Sequence, residues 1–143
     1  MNAGRGRPAR LHWWHPREDQ RGVWVRGERA AARAMRRAGC RVIARNLKLG
    51  PGEIDLLCRD RKTGEFVVVE VKARIGRGDG RRPEDAITHA KRQKLLQLVR
   101  ALQREERVRG RPIRVDVVAV EFAPGRRRAT ALRRYERAVG AGG

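Results

Sequence analysis

The sequence predicts an α/β protein with one domain. Its 143 residues are enough for a single hydrophobic core. Two runs rich in β-branched residues, 66–72 and 113–122, are typical of strands that are covered on both faces. Two other segments, 23–38 and 84–105, carry apolar residues at helical spacing. The chain therefore combines strands and helices around one core.

The first predicted helix covers Val23 to Ala38 and ends at Gly39, because glycine readily takes the left-handed backbone that closes a helix. Glu28 falls on the apolar stripe of this helix. The residues that define the stripe are Ala31, Ala32, Met35 and Ala38. A carboxylate on a buried stripe needs a partner, and Arg29 or Arg33 is available as one.

Residues 1–21 precede this helix and are predicted to form a disordered basic arm. They are rich in Gly, Pro and Arg and have no amphipathic period. Trp13 and Trp14 lie beside arginines and are able to stack on nucleic-acid bases. An unpatterned tail that packs loosely is the alternative interpretation.

Three strands are predicted in the centre of the chain. Cys40 to Leu47 is the first, and a loop at 48–52 separates it from the second at Glu53 to Leu57. Phe66 to Lys72 is the third and has β-branched residues on both faces. Residues 59–65 have the composition of a turn, so we expect the second and third strands to pair as a hairpin.

An acid and an amine interrupt the third strand. Hairpin pairing would bring Asp55 close to Glu70 and Lys72, with Glu53 on the same face as Asp55. One lysine cannot neutralise both carboxylates, whereas Mg²⁺, which takes hard oxygen ligands, can. A buried ion-pair cluster that only fixes strand register is the structural alternative. Glu53 either supports a metal ligand from behind or is an edge residue.

Basic residues follow the third strand. Arg74 and Arg77 border or lie in a Gly- and Arg-rich segment, Ile75 to Pro83, that is suited to clamp a nucleic-acid backbone. A plain solvated linker is the alternative. The next predicted helix, Glu84 to about Glu105, places Lys91 and Lys94 in the arc of its apolar residues, Ile87, Leu95, Leu98 and Leu102. Such lysines either extend to water or meet an anion, and we favour phosphate contacts.

A last buried strand is predicted from Ile113 to Phe122. Asp116 interrupts this strand and is expected to orient a lysine or a strand end. Residues 123–143 are predicted to form a basic turn, a short helix around Leu132 to Val139 and a glycine-rich end. The domain organisation is then a basic arm at 1–21, a folded domain at 22–122 and this C-terminal segment.

The net charge of +20 indicates a polyanionic partner. Part of the arginine excess is attributable to a GC-rich coding sequence, but so strong a charge repels itself unless phosphates or counterions screen it. No apolar run approaches about 18 residues, and no secretory signal is readable, so we expect no membrane contact and a cytoplasmic location. Cys40 and Cys58 lack the spacing of a zinc site and are expected to be small buried hydrophobes.

The motifs GEIDLL, FVVVEVKAR and VDVVAV resemble those of the UPF0102 (YraN-like) family, and an Asp followed by Glu-x-Lys on a valine-rich strand resembles the PD-(D/E)-x-K nucleases. The resemblance implies a restriction-endonuclease-like mixed β-sheet flanked by helices, similar to archaeal Holliday-junction resolvases. It also implies that Glu28 joins Asp55 and Glu70 in holding Mg²⁺ or Mn²⁺, and that two copies form a homodimer.

The expected function is metal-dependent cleavage of nucleic acid, with DNA preferred over RNA as the partner. Asp55, Glu70 and Lys72 are the expected catalytic residues, and Asp116 and Glu53 are expected to support them. A DNA- or RNA-binding protein that keeps the nuclease fold without turnover is the main alternative. An interaction protein whose charge is only compositional is a third.

Overall fold

The computed structural model describes residues 21–139 and consists of one five-stranded sheet with a helix on each face. The strands lie in the order β1-β2-β3-β4-β5, with β3 and β4 parallel and every other neighbouring pair antiparallel. Their bounds are β1 Cys40–Leu49, β2 Gly52–Asp60, β3 Phe66–Ile75, β4 Ile113–Phe122 and β5 Ala129–Val139. The predicted α/β domain with a mixed sheet flanked by helices is confirmed.

Helix α1 occupies residues 21–37 and covers one face of the sheet. Gly39 follows it with φ +90°, so the predicted left-handed terminus is confirmed. Gly27 is where this helix comes closest to the sheet, since a β-carbon there would lie 2.5 Å from the Cβ of Ala73 in β3. Only a residue without a side chain fits at that contact.

Helix α2, His89–Gln103, covers the other face through Leu95, Leu98 and Leu102. We predicted this helix to start at Glu84, which is wrong. A separate 3-10 turn spans Pro83–Ala86, and Ile87 leaves helical geometry with φ −82° and ψ 88°. Thr88 then caps the helix, because its side-chain oxygen accepts a hydrogen bond from the Lys91 backbone nitrogen at 3.2 Å.

The C-terminal segment is a strand, so the short helix predicted around Leu132 to Val139 is wrong. β5 pairs antiparallel with β4 from Phe122↔Ala129 to Val115↔Val139. The chain after Phe122 therefore adds a fifth strand to the sheet, and the folded domain continues past its predicted end at residue 122. Tertiary pairing therefore overrides the local helical preference of this segment. The predicted basic arm, with Trp13 and Trp14, lies outside the described residues except for Arg21, which is helical. The glycine-rich end beyond Val139 also lies outside them.

β2 and β3 pair over only part of their lengths. Their register runs from Arg59↔Phe66 to Leu56↔Val69 and stops there, whereas β3 stays paired with β4 as far as Ile75. The predicted hairpin is confirmed, but its two strands separate beyond Leu56 and Val69. The separation leaves backbone groups of β3 without a strand partner on that side.

Candidate active site

Asp55 lies where β2 and β3 separate. Its Oδ2 atom accepts a hydrogen bond of 2.8 Å from the backbone nitrogen of Val71, so a side chain replaces the missing strand as the partner of that amide. Only 7% of Asp55 is exposed. The sequence places an acid in a buried strand here because the carboxylate completes the hydrogen bonding of the sheet.

Glu70 lies on β3, in the part of the strand that has left β2, and is 4% exposed. Its Oε2 atom is 3.2 Å from Nζ of Lys72 and 3.2 Å from Nζ of Lys91. The prediction that Glu70 and Lys72 lie close together is therefore confirmed. Lys91 comes from the first turn of α2, and its ammonium group contacts the same Glu70 oxygen as that of Lys72.

The negative charges of Asp55 and Glu70 repel each other. Burial raises the pKa of Asp55 to about 7, and the negative charge of Glu70 adds to that rise. The Val71 amide and the charge of Lys91 act in the opposite direction, while Glu28 raises the pKa further. At neutral pH the site therefore holds a carboxyl group that ionises only partly without an additional positive charge.

Glu28 reaches the site from α1 together with Glu53 from β2. Asn46, which has φ 50° in β1, lies between their carboxylates. Carboxylates only accept hydrogen bonds, so the amide nitrogen faces them, 3.1 Å from Glu28 Oε2 and 3.1 Å from Glu53 Oε1. Burial raises the pKa of Glu28, and the Asn46 hydrogen bond partly offsets that rise. Glu53 is therefore linked to Glu28 through the side chain of Asn46.

The donor set suits a hard divalent cation that needs few protein ligands. Among residues 21–139, no three His, Cys, Asp or Glu side chains converge on one point. Within the same range, no hydrogen bond reaches Oδ1 of Asp55 or Oε1 of Glu70. Mg²⁺ is commonly held by one or two carboxylates, with water and phosphate oxygens as its other ligands. Asp55 and Glu70 supply two carboxylates of this kind, and the charge of Glu28 acts on Asp55.

A basic cleft of about 750 Å³ adjoins Lys72. Its lining includes Lys72, Arg74, Arg81, Arg82 and one acid, Asp85. Arg74 is held by Asp79 at 2.6 Å, from Nη2 to Oδ2. Arginines in such a cleft are suited to contact phosphate oxygens.

The other predicted nucleic-acid contacts differ in position. Arg77 is exposed in the loop after β3. Lys94 is exposed on α2 and lies beside Gly52, where a β-carbon would be 3.2 Å from its Cε. Lys91 contacts Glu70, so the anion that it meets is a carboxylate of the site itself.

Asp116 lies outside this group and belongs to an arginine cluster at the start of β4. It is 0% exposed and contacts Arg114, Arg134 and the backbone nitrogen of Arg137. Two roles were considered for Asp116, orienting a lysine and orienting a strand end. Its contacts hold β5 against β4, so it orients a strand end. The other role is wrong, since in the described part of the chain its ionic partners are arginines and not a lysine.

Sequence reasoning missed Asn46 and the pairing of Lys91 with Glu70, and it did not single out Arg81 and Arg82 within the predicted segment Ile75 to Pro83. Asn46 carried a signal, because asparagine in a strand pattern tolerates positive φ. Arg81 and Arg82 were indistinguishable from the other arginines in a chain that has so many. The register of α2 against β3 could not be read from spacing alone.

The sheet order, the parallel β3–β4 pair and the acids and lysine beside the separated strands define a restriction-endonuclease-like α/β protein. The chain belongs to the UPF0102 family. The family model described as "Uncharacterised protein family UPF0102" matches residues 27–120, which include Glu28, Asp55, Glu70 and Lys72. The resemblance found in the sequence motifs is thereby confirmed.

Several curated proteins are similar to this chain over most of their lengths. A UPF0102 protein of Nocardia farcinica is 41% identical over 109 residues, which cover 76% of this chain and 84% of the relative. One from Symbiobacterium thermophilum is 42% identical over 104 residues, covering 73% and 86%. One from Roseiflexus castenholzii is 41% identical over 105 residues, covering 73% and 81%. No helix within residues 21–139 has the length and apolar character needed to span a membrane.

Proposed function

We propose that this protein is a nuclease that uses Mg²⁺ or Mn²⁺ to hydrolyse phosphodiester bonds of nucleic acid, with DNA preferred over RNA, in the cytoplasm. One observation carries the proposal: two buried carboxyl groups, Asp55 and Glu70, lie where β2 and β3 separate, and the charge of Glu70 helps to raise the pKa of Asp55 to about 7. Lys72 and Lys91 contact Glu70, but the pKa of Asp55 stays raised, so ionised Asp55 lowers the stability of the folded state at neutral pH. A fold that keeps this acid gains from binding a cation.

Asp55 and Glu70 would hold the cation, with Glu28 assisting and the Val71 carbonyl nearby. When bound, a cation of this kind lowers the pKa of a water molecule and offsets the charge of a phosphate. The Val71 amide fixes the orientation of Asp55 through a 2.8 Å hydrogen bond. Lys72, whose ammonium is 3.2 Å from Glu70, would donate to a phosphate oxygen on which charge develops.

Lys91 has a different role in this proposal. Its ammonium shares the Oε2 atom of Glu70 with Lys72, so it keeps that acid paired before substrate arrives. Lys72 can then turn toward a phosphate without leaving Glu70 buried and unpaired. We therefore assign Lys91 to positioning Glu70 and not to direct contact with the nucleic acid.

Affinity for nucleic acid would come from charge. The net charge is +20, and the cleft next to Lys72 carries Arg74, Arg81 and Arg82. Phosphate contacts of this kind do not depend on base sequence, and they weaken steeply as salt increases. In this proposal the protein binds nucleic acid without regard to base sequence and cleaves it at one active site.

A second candidate is a nucleic-acid-binding protein without turnover. The observation in its favour is that Glu70 already has two lysine partners at 3.2 Å, which neutralise it without a metal. In this case the acids and lysines only fix the geometry of β3. Binding would then be salt-sensitive and unaffected by EDTA.

The test is cleavage of single-stranded, branched and duplex DNA by purified protein with Mg²⁺ or Mn²⁺. We expect cleavage that EDTA stops and that Asp55→Asn or Lys72→Ala abolishes, while both variants still bind DNA. Lys62→Ala is the matched control, because Lys62 is an exposed lysine in the turn between β2 and β3, at the opposite end of the hairpin from the separated strands. Cleavage at the same rate by wild type and Asp55→Asn would contradict the proposal. Binding of DNA by wild type without any cleavage would support the second candidate.

A further inference from the structure

Trp24 is a large aromatic side chain that α1 leaves 46% exposed. It precedes Glu28 by four residues, so the two side chains lie on the same face of the helix, one turn apart. The carboxylate of Glu28 contacts Asn46, whose amide also lies against Glu53, two residues before Asp55 in β2. Trp24 is thus one helical turn away from a residue of the candidate active site.

The same part of α1 adjoins the basic cleft. Gly27 packs against Ala73 of β3, and Ala73 also lines the cleft that contains Lys72, Arg74, Arg81 and Arg82. The helix that carries Trp24 therefore meets the cleft at Ala73. Because neighbouring residues of a strand point to opposite faces, α1 and the cations Lys72 and Arg74 lie on the two sides of this segment of β3.

The charge on α1 also favours nucleic acid as the occupant. Residues 21–37 contain one acid, Glu28, and six arginines, which are Arg21, Arg26, Arg29, Arg33, Arg36 and Arg37. A surface with this balance attracts a polyanion and repels a second copy of itself. The exposed ring therefore lies on a helix whose net charge is complementary to a sugar-phosphate backbone.

We propose that Trp24 stacks on an unpaired base, so that the nucleic acid is bound with at least one unstacked nucleotide next to the acid–lysine site. The inference rests on the proposed function and narrows its substrate class to single strands, flaps and branch points. Bases inside a duplex are stacked on each other and have no free face, whereas an unpaired base offers one to an aromatic side chain. Binding grooves for single strands combine a positive path with such rings.

Affinity measured without cleavage tests this inference. Wild type, Trp24→Ala, Trp24→Phe and Val25→Ala are titrated in EDTA against labelled oligothymidylate of about 20 nucleotides and against a blunt duplex of the same length. Val25→Ala is the matched control, since Val25 is the neighbouring residue on α1 and is 42% exposed. Thermal unfolding of each variant confirms that the fold is retained.

We expect Trp24→Ala to weaken binding of the single strand by about 5- to 100-fold and to change duplex binding less than about twofold. Trp24→Phe should keep most of the affinity, because its ring still stacks, and Val25→Ala should behave as wild type. Equal weakening on both oligonucleotides, no change on either, or the same loss in Val25→Ala would overturn the inference.

The remaining outcomes separate this inference from the proposed function. If wild type binds and cleaves DNA but Trp24→Ala binds single strands normally, only the role of Trp24 is wrong. If wild type binds neither oligonucleotide, both proposals are wrong. If Trp24→Ala converts a dimer to a monomer in sedimentation without DNA, Trp24 belongs to a protein interface and the stacking role is overturned.

Discussion

Replacing Asp55 by Asn tests the electrostatic argument without requiring activity. The ordinary aspartate pKa of 3.8 rises to about 7 at this site. Because the folded-state pKa is raised, Asp55 does not lower stability at acid pH, where it is protonated in both states. Its destabilising effect begins near the ordinary pKa and grows as the pH rises to about 7. Asparagine cannot ionise, while its amide oxygen can still accept the Val71 hydrogen bond.

The magnitude follows from the two pKa values. A rise of this size corresponds to about 4 kcal/mol in the free energy of unfolding above about pH 7, of which about 2 kcal/mol is already present at about pH 5. Asp55→Asn should therefore increase the free energy of unfolding by about 2 to 3 kcal/mol more at about pH 8 than at about pH 5. Groups that do not interact with Asp55 cancel in this comparison.

The assay is urea unfolding of wild type and variant at both pH values in EDTA, and again with Mg²⁺. Mg²⁺ should stabilise wild type more than the variant, so the gap at the higher pH should shrink. Asp79→Asn is the control, because the hydrogen bond from Arg74 lowers the pKa of Asp79 and its removal should not stabilise the protein. If the free energies of unfolding of wild type and Asp55→Asn differ by the same amount at the two pH values, the reasoning is refuted.

Three further predictions concern packing, the arginine cluster and the cleft. Gly27→Ala should lower the free energy of unfolding by about 1 to 3 kcal/mol, because its methyl group would meet Cβ of Ala73 at 2.5 Å; chemical unfolding measures this. Arg114→Leu should cost about 3 to 5 kcal/mol by the same measurement, because it takes the arginine partner from buried Asp60 and one of two arginine partners from Glu65 and Asp116. The double variant Arg81→Gln, Arg82→Gln should lower the slope of log affinity for DNA against log salt by about 1 to 2.

Each of these predictions has a matched control. Gly22→Ala should not destabilise, because the nearest atom to its new methyl group is the flexible Nη1 of Arg26 at 3.5 Å. Arg111→Leu replaces an exposed arginine and should change stability little. Arg126→Gln with Arg127→Gln removes two exposed charges far from the cleft in sequence, and an equal fall in salt slope would mean that the cleft has no special part in binding.

The sequence predicted those parts of the fold that depend on local patterns. β4 has the predicted bounds, Ile113–Phe122, and β3 begins at the predicted Phe66, because runs of β-branched residues report burial directly. The helix break at Thr88 was readable as a capping residue but was hidden by the apolar spacing around it. β5 could not be predicted, since its pairing with β4 and its ion pairs are long-range contacts.

For the site, the sequence predicted that Asp55, Glu70 and Lys72 lie close together, because a hairpin fixes which residues face each other. The structure places Glu70 and Lys72 in contact, and the charge of Glu70 acts on Asp55. Separation of the strands beyond Leu56 and Val69 was not readable, because it depends on β3 following β4 instead of β2. The catalytic role of these residues stays a prediction.

The arginine cluster has a consequence for how the chain folds during synthesis. Arg114 links Asp60 and Glu65, which come early in the chain, to Asp116, and the last described strand adds Arg134 and Arg137. Until those final residues leave the ribosome, Asp116 has no cover from β5 and Glu65 has no Arg137. A nascent or truncated chain that stops before β5 therefore contains an incompletely compensated group of charges, and we expect it to be degraded by proteases before it reaches a stable fold.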